Sequence, residues 1–131
     1  MNQLSAELTI LVWSVILTFV LILVPATQSV LTNGLKVMAG PRDQIPEPSV
    51  TNKRLRRLAA NMIENMVLFV PLVLAAAVAG ISNQWTVLGC QLFLGGRLVH
   101  AVVYALGIPW VRPAFWAVAT VGMGMIAWQL L

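Results

Sequence analysis

Four long apolar runs separated by short polar breaks organise this chain. They cover about residues 8–30, 58–79, 85–106 and 113–131. Each approaches the roughly 20 residues that carry a helix across a 30 Å hydrocarbon core. None alternates apolar and polar positions with period two, as a transmembrane strand would. A helix also satisfies its backbone amides within its own segment, which a lipid environment demands. The pattern predicts an all-α fold: one transmembrane domain over residues 1–131, built as an integral membrane four-helix bundle of up-down topology. Pro25 falls inside the first run, where it predicts a kink, and Pro71 inside the second. The break at residues 80–84 is short enough to make the second and third runs antiparallel neighbours, and the break at 107–112 is equally short. The break at about 33–53 is longer, and Pro41, Pro46 and Pro48 keep it from being one simple helix. There is no internal repeat, so an inverted-repeat transporter finds no support.

Composition agrees with a membrane setting. Of 131 residues, 60% are hydrophobic and only 9% charged, against roughly 25% charged in a soluble domain. The net charge of +4 is carried by too few, too localised groups for a nucleic-acid surface. The single cysteine, Cys90, excludes an internal disulfide and reads as a small buried hydrophobe. The first run lacks a basic segment before it and exceeds the roughly 7–15 apolar residues of a signal peptide, so it reads as a retained helix. Lys36, Arg42, Lys53, Arg54, Arg56 and Arg57 lie between the first and second runs, and Arg112 lies between the third and fourth. The positive-inside rule then places both loops in the cytoplasm and both termini outside. Trp13, Trp85, Trp110 and Trp128 fall near segment ends, as interfacial anchors do.

The informative residues are ionisable groups inside the apolar runs, each costing about 2.5–3.5 kcal/mol at a helix centre on an insertion scale. Arg57, Asn61 and Glu64 stand at i, i+4 and i+7, one stripe of a helix, with Asn65 beside it. Arg97, His100 and Tyr104 stand at i, i+3 and i+7, a second stripe. Both descend from the same end of antiparallel neighbours, with Arg112 and the basic loop at the mouth. Glu64 and Arg97 are expected to lie within ion-pair or one-water reach, in one subunit or across an interface. That pair alone would neutralise two charges, but it leaves a surplus of guanidinium and hydrogen-bond donors, which suits a ligand carrying carboxylates. A lone His100, with no cysteine or aspartate at ligand spacing, predicts no metal site. Gly95–Gly96, Ala75/Ala79 and Thr120/Gly124 are expected to serve close helix packing, and Met62, Met66, Met123 and Met125 to pack or face lipid.

The segment RLAANMIENMVLFVPLVL resembles the signature of the MAPEG family, membrane-associated proteins in eicosanoid and glutathione metabolism. GRLVHAVVYALGIPWVRP resembles that family's third helix and last cytoplasmic loop, and PRDQIP is similar to bacterial members. The resemblance covers most of residues 34–116. It implies a homotrimer with a glutathione site between subunits, open to the cytoplasm, in a multi-pass protein of a bacterial inner membrane. It implies glutathione as co-substrate, contacted by Arg57, Asn61, Glu64, Arg97, His100 and Tyr104, with Arg112 holding the thiolate and Tyr104 assisting. The activity implied is a glutathione-dependent transferase or peroxidase acting on lipophilic electrophiles, a detoxification chemistry. The alternative is a non-catalytic membrane protein that binds a lipid or thiol ligand. Two positions depart from the family pattern. Pro113 follows Arg112 where the prostaglandin synthase has a serine, and Lys36 only approximates a first-helix arginine.

Overall fold

The computed structural model describes residues 3–131 as five helices: α1 (Ala6–Asn33), α2 (Leu35–Ala39), α3 (Val50–Val78), α4 (Gln84–Ala105) and α5 (Arg112–Leu130). Four of them, α1, α3, α4 and α5, are long and apolar enough to cross a membrane, and no strand occurs among the described residues. The chain is an all-helical membrane bundle.

Local chemistry sets the helix ends. The Ser5 hydroxyl accepts the Leu8 amide to open α1, and the Ser49 hydroxyl accepts the Asn52 amide at 3.1 Å to open α3. Asn83 and Thr86 form a reciprocal capping box at the start of α4. The Ser49 cap explains why α3 begins at Val50 rather than near residue 58. Its first two turns carry Lys53, Arg54, Arg56 and Arg57, so they are helical without being apolar. The long loop likewise holds the short α2, entered through Gly34 at φ 86°. Pro25 and Pro71 both lie inside continuous helices.

α3 and α4 form the middle of the bundle. α1 packs on one side of them and α5 on the other, and α1 and α5 do not touch among the described residues. Met62, Met66, Phe69, Cys90, Phe93, Met123 and Ile126 fill the core, so three of the four intramembrane methionines are packing residues. The Phe69 and Phe93 rings stack with centroids 3.8 Å apart. In lipid no hydrophobic effect drives one helix against another, so dispersion and close approach must hold the bundle. α4 and α5 achieve this through glycines. A Cβ on Gly89 would lie 2.6 Å from the Gly122 carbonyl oxygen, and one on Gly122 would lie 2.4 Å from that of Gly89. Gly96 packs the same way, against the backbone of Phe115 and Ala119. The sequence reading chose some of the wrong small residues. Gly95 and Gly124 face open space, and Ala75 and Ala79 are exposed.

Most buried polar groups in α1 are satisfied locally or by a neighbour, Glu7 Oε2 being the exception. Ser14 and Ser29 return their hydroxyls to carbonyls one turn back, at 2.9 Å each. Glu7, 4% exposed, accepts from Ser82 at 2.8 Å and from Thr86 at 2.6 Å, which ties α1 to the α3–α4 turn. At the opposite end Asn52 of α3 donates to the Gln28 side chain and the Pro25 carbonyl. These two polar ties leave the other side of α3 and α4 free to form a cleft with α5.

Candidate functional site

That cleft lies at the end of the bundle carrying the basic loop. Its floor is α4 and its walls are α3 and α5. Arg57, Asn61 and Glu64 line it from α3, His100 and Tyr104 from α4, and Arg112, Pro113 and Trp116 from α5. Its volume is about 530 Å³, within the range of roughly 300–1,000 Å³ typical of small-molecule sites. A second space of about 530 Å³ adjoins it through Arg57, Tyr104, Arg112 and Pro113, and adds Arg54. The two sequence stripes thus face one cleft because α3 and α4 are antiparallel and their polar residues share a depth.

The cleft has an internal order. The Arg112 guanidinium sits over the Tyr104 ring, 5.2 Å from its centroid, a cation–π arrangement that favours a fixed charge there. The His100 ring stacks on Tyr104, with centroids 5.9 Å apart. Arg112 is also the first residue of α5, so the positive end of a 19-residue helix lies beside the same space. The helix dipole adds partial positive charge to that of the guanidiniums. Against Arg54, Arg57 and Arg112 stands one carboxylate, Glu64.

Arg97 is not where the sequence reading placed it. It is 1% exposed and lies behind the cleft wall. Its Nη2 donates to Asn61 Oδ1 at 2.8 Å, and its Nε points to Met62 Sδ at 3.4 Å. Glu64 does not pair with it. The only ion pair among the described residues joins Lys53, in the first turn of α3, to Glu47 of the preceding loop, where the ammonium holds the Glu47 carboxyl below its usual range. The reason is that Asn61 takes the Arg97 guanidinium, while Glu64 is exposed and lines the cleft. Arg97→Met is therefore expected to destabilise the protein by about 1–3 kcal/mol through the orphaned Asn61 oxygen. Glu64→Gln should change stability by less than about 0.5 kcal/mol. Unfolding in detergent micelles reads both, and equal losses would restore the Glu64–Arg97 pair.

Arg54 is the cleft residue that the sequence reading missed. Gly107, at φ 71°, lets its guanidinium lie on the α4–α5 loop, since a Cβ there would come within 2.9 Å of Arg54 Nη1. The signal was present: Arg54 precedes Arg57 by three residues and extends the same stripe by one turn. Lys36 sits exposed on α2 and lines neither part of the cleft. Two buried atoms in the wall, Arg97 Nη1 and His100 Nδ1, have no hydrogen-bond partner within the chain. The wall thus carries polar capacity that the fold itself does not use.

The sequence model of the MAPEG family matches residues 8–131. No curated protein and no solved structure matches the chain.

Proposed function

The chain belongs to the MAPEG family, and from that premise we propose that its cleft binds glutathione and joins it, through its sulfur, to a lipophilic electrophile. The observation that carries this reading is the convergence of Arg57, Asn61, Glu64, His100, Tyr104 and Arg112 on one cleft from three helices. Glutathione presents two carboxylates, one ammonium and a thiol. Arg54 and Arg57 at the outer end suit the carboxylates, which a guanidinium takes bidentately. Glu64 suits the ammonium, and Asn61, held by Arg97, the peptide backbone. Arg112, backed by Tyr104 and the α5 N-terminus, stands where a thiolate gains most. His100 braces Tyr104 and supplies a further hydrogen bond.

In this reading Arg112 is the catalytic cation and Tyr104 donates a second hydrogen bond to sulfur. The thiol gives its proton to solvent on binding. The thiolate then attacks the electrophilic carbon, a C–S bond forms, and the leaving group departs with its bonding pair. The electrophile enters from the bilayer past Trp116, 47% exposed at the rim. The same reading takes the basic end as cytoplasmic and the working unit as a homotrimer in which neighbours close the open cleft. Purified protein supplied with glutathione and an activated aryl halide should form the thioether faster than glutathione alone. Saturable glutathione binding without thioether formation would favour the non-catalytic alternative, and absence of both would refute the reading.

A further inference from the structure

On the neighbouring face of α3, meeting the glutathione cleft only at Ala60, lies a second groove that the proposed reaction does not use. It runs between α1, α2 and α3, has a volume of about 370 Å³, and is polar at one end only. Ile22, Ala26, Val30 and Ile63 form its apolar length, and Arg42 and Arg56 stand at the end nearest the basic loop. We propose that this groove holds an anionic phospholipid, its phosphate between the Arg42 and Arg56 guanidiniums and an acyl chain along Ile22, Ala26 and Ile63.

Four observations support that occupant. Neither arginine has a carboxylate partner among the described residues, and unpaired guanidiniums at the membrane boundary suit an anionic headgroup. Each is nonetheless fixed from within the protein. Arg56 Nη2 donates to the buried Ser29 hydroxyl at 3.0 Å, and Arg42 Nε donates to the Met38 carbonyl at 2.8 Å. Both guanidiniums keep further N–H groups for a ligand. Arg42 also adopts φ 66°, a left-handed backbone that a non-glycine residue holds only at a cost, and such strain gathers at binding sites. The position of the groove matches a lipid as well. Its apolar wall is the exposed membrane face of α1, so a chain lying there remains continuous with the bilayer. A second copy of the protein would bring an apolar helix face to the groove but leave both guanidiniums unpaired.

Native mass spectrometry of the full-length protein, released from nanodiscs of mixed phosphatidylglycerol and phosphatidylcholine, tests this. Retained phosphatidylglycerol is expected on the wild type and should fall about tenfold or more in Arg42→Gln, Arg56→Gln. Lys36→Gln, Lys53→Gln removes the same charge from the same region and should retain the lipid. Ala26→Phe, which fills the acyl path and leaves both arginines in place, should also release it. Millimolar glycerol 3-phosphate should not displace it. Equal losses in the two charge variants would reduce the effect to general surface charge. Displacement by glycerol phosphate would make this a phosphate site without a lipid path. Either result, or retention in Ala26→Phe, overturns the proposal. Thioether formation is not the readout, so failure here leaves the glutathione reading untouched.

Discussion

Arg112→Ala should lower turnover by up to about 100-fold at pH 6 while leaving glutathione affinity within a few-fold of wild type. A free thiol has a pKa of about 8.5, and a guanidinium beside it can lower that by about 2 units, worth about 2.7 kcal/mol. The sign follows from the direction of the shift. Lowering the bound thiol's pKa places the reactive thiolate above roughly pH 6.5, and activity falls as pH drops through that value. Without Arg112 the rise moves toward pH 8.5, so the deficit should be largest in acid and shrink in base. Arg57→Ala should do the reverse. It removes a carboxylate contact made equally in the ground and transition states, so it weakens binding with little change in turnover. Steady-state kinetics across pH 5.5–9 separates the two. Parallel loss of affinity and turnover in both variants would show that the arginines do not divide the work this way.

The other large effect is structural. Gly122→Val should destabilise the bundle by about 3 kcal/mol or more, at the upper end of overpacking costs. The added carbon would meet backbone, the Gly89 carbonyl oxygen at 2.4 Å, rather than a side chain able to turn away. The closest seam of the molecule, α4 on α5, would have to open, and Arg112 would move with α5. Gly124→Ala is the matched control, because its Cβ would meet nothing within 4 Å. Unfolding in detergent micelles should show a large loss for the first and a change within about 0.5 kcal/mol for the second. Wild-type stability in Gly122→Val would mean that the seam is not the element holding the bundle.

These two expectations rest on information of different kinds. The four spans were legible because lipid imposes a single rule on the backbone and 20-residue apolar runs obey it. The stripes were legible because helical periodicity projects Arg57, Asn61 and Glu64 onto one face, and the short turn at 80–84 fixes α4 antiparallel to α3. Helix starts were less legible. α3 gains its first turns from the Ser49 cap, not from hydropathy, and that hid Arg54. Side-chain partnership was not legible at all. Glu64 and Arg97 share a depth, yet Arg97 donates to Asn61 instead. The same limit applied to the glycines. Gly89 and Gly122 stand on the seam while Gly95 and Gly124 face outward, and which face meets α5 depends on how the helices rotate against each other. Arg42 and Arg56 read in sequence only as loop charge, because their common groove exists only once α2 folds back along α1.

The most direct test of the central claim is ultraviolet absorbance of the thiolate on the purified protein, followed as glutathione is added at pH 7. The account predicts a saturable thiolate signal that disappears when an electrophile is supplied and titrates with a pKa of roughly 6.5. The signal should be largely lost in Arg112→Ala. Saturable glutathione binding with no thiolate signal, or a signal that Arg112→Ala leaves unchanged, would contradict it.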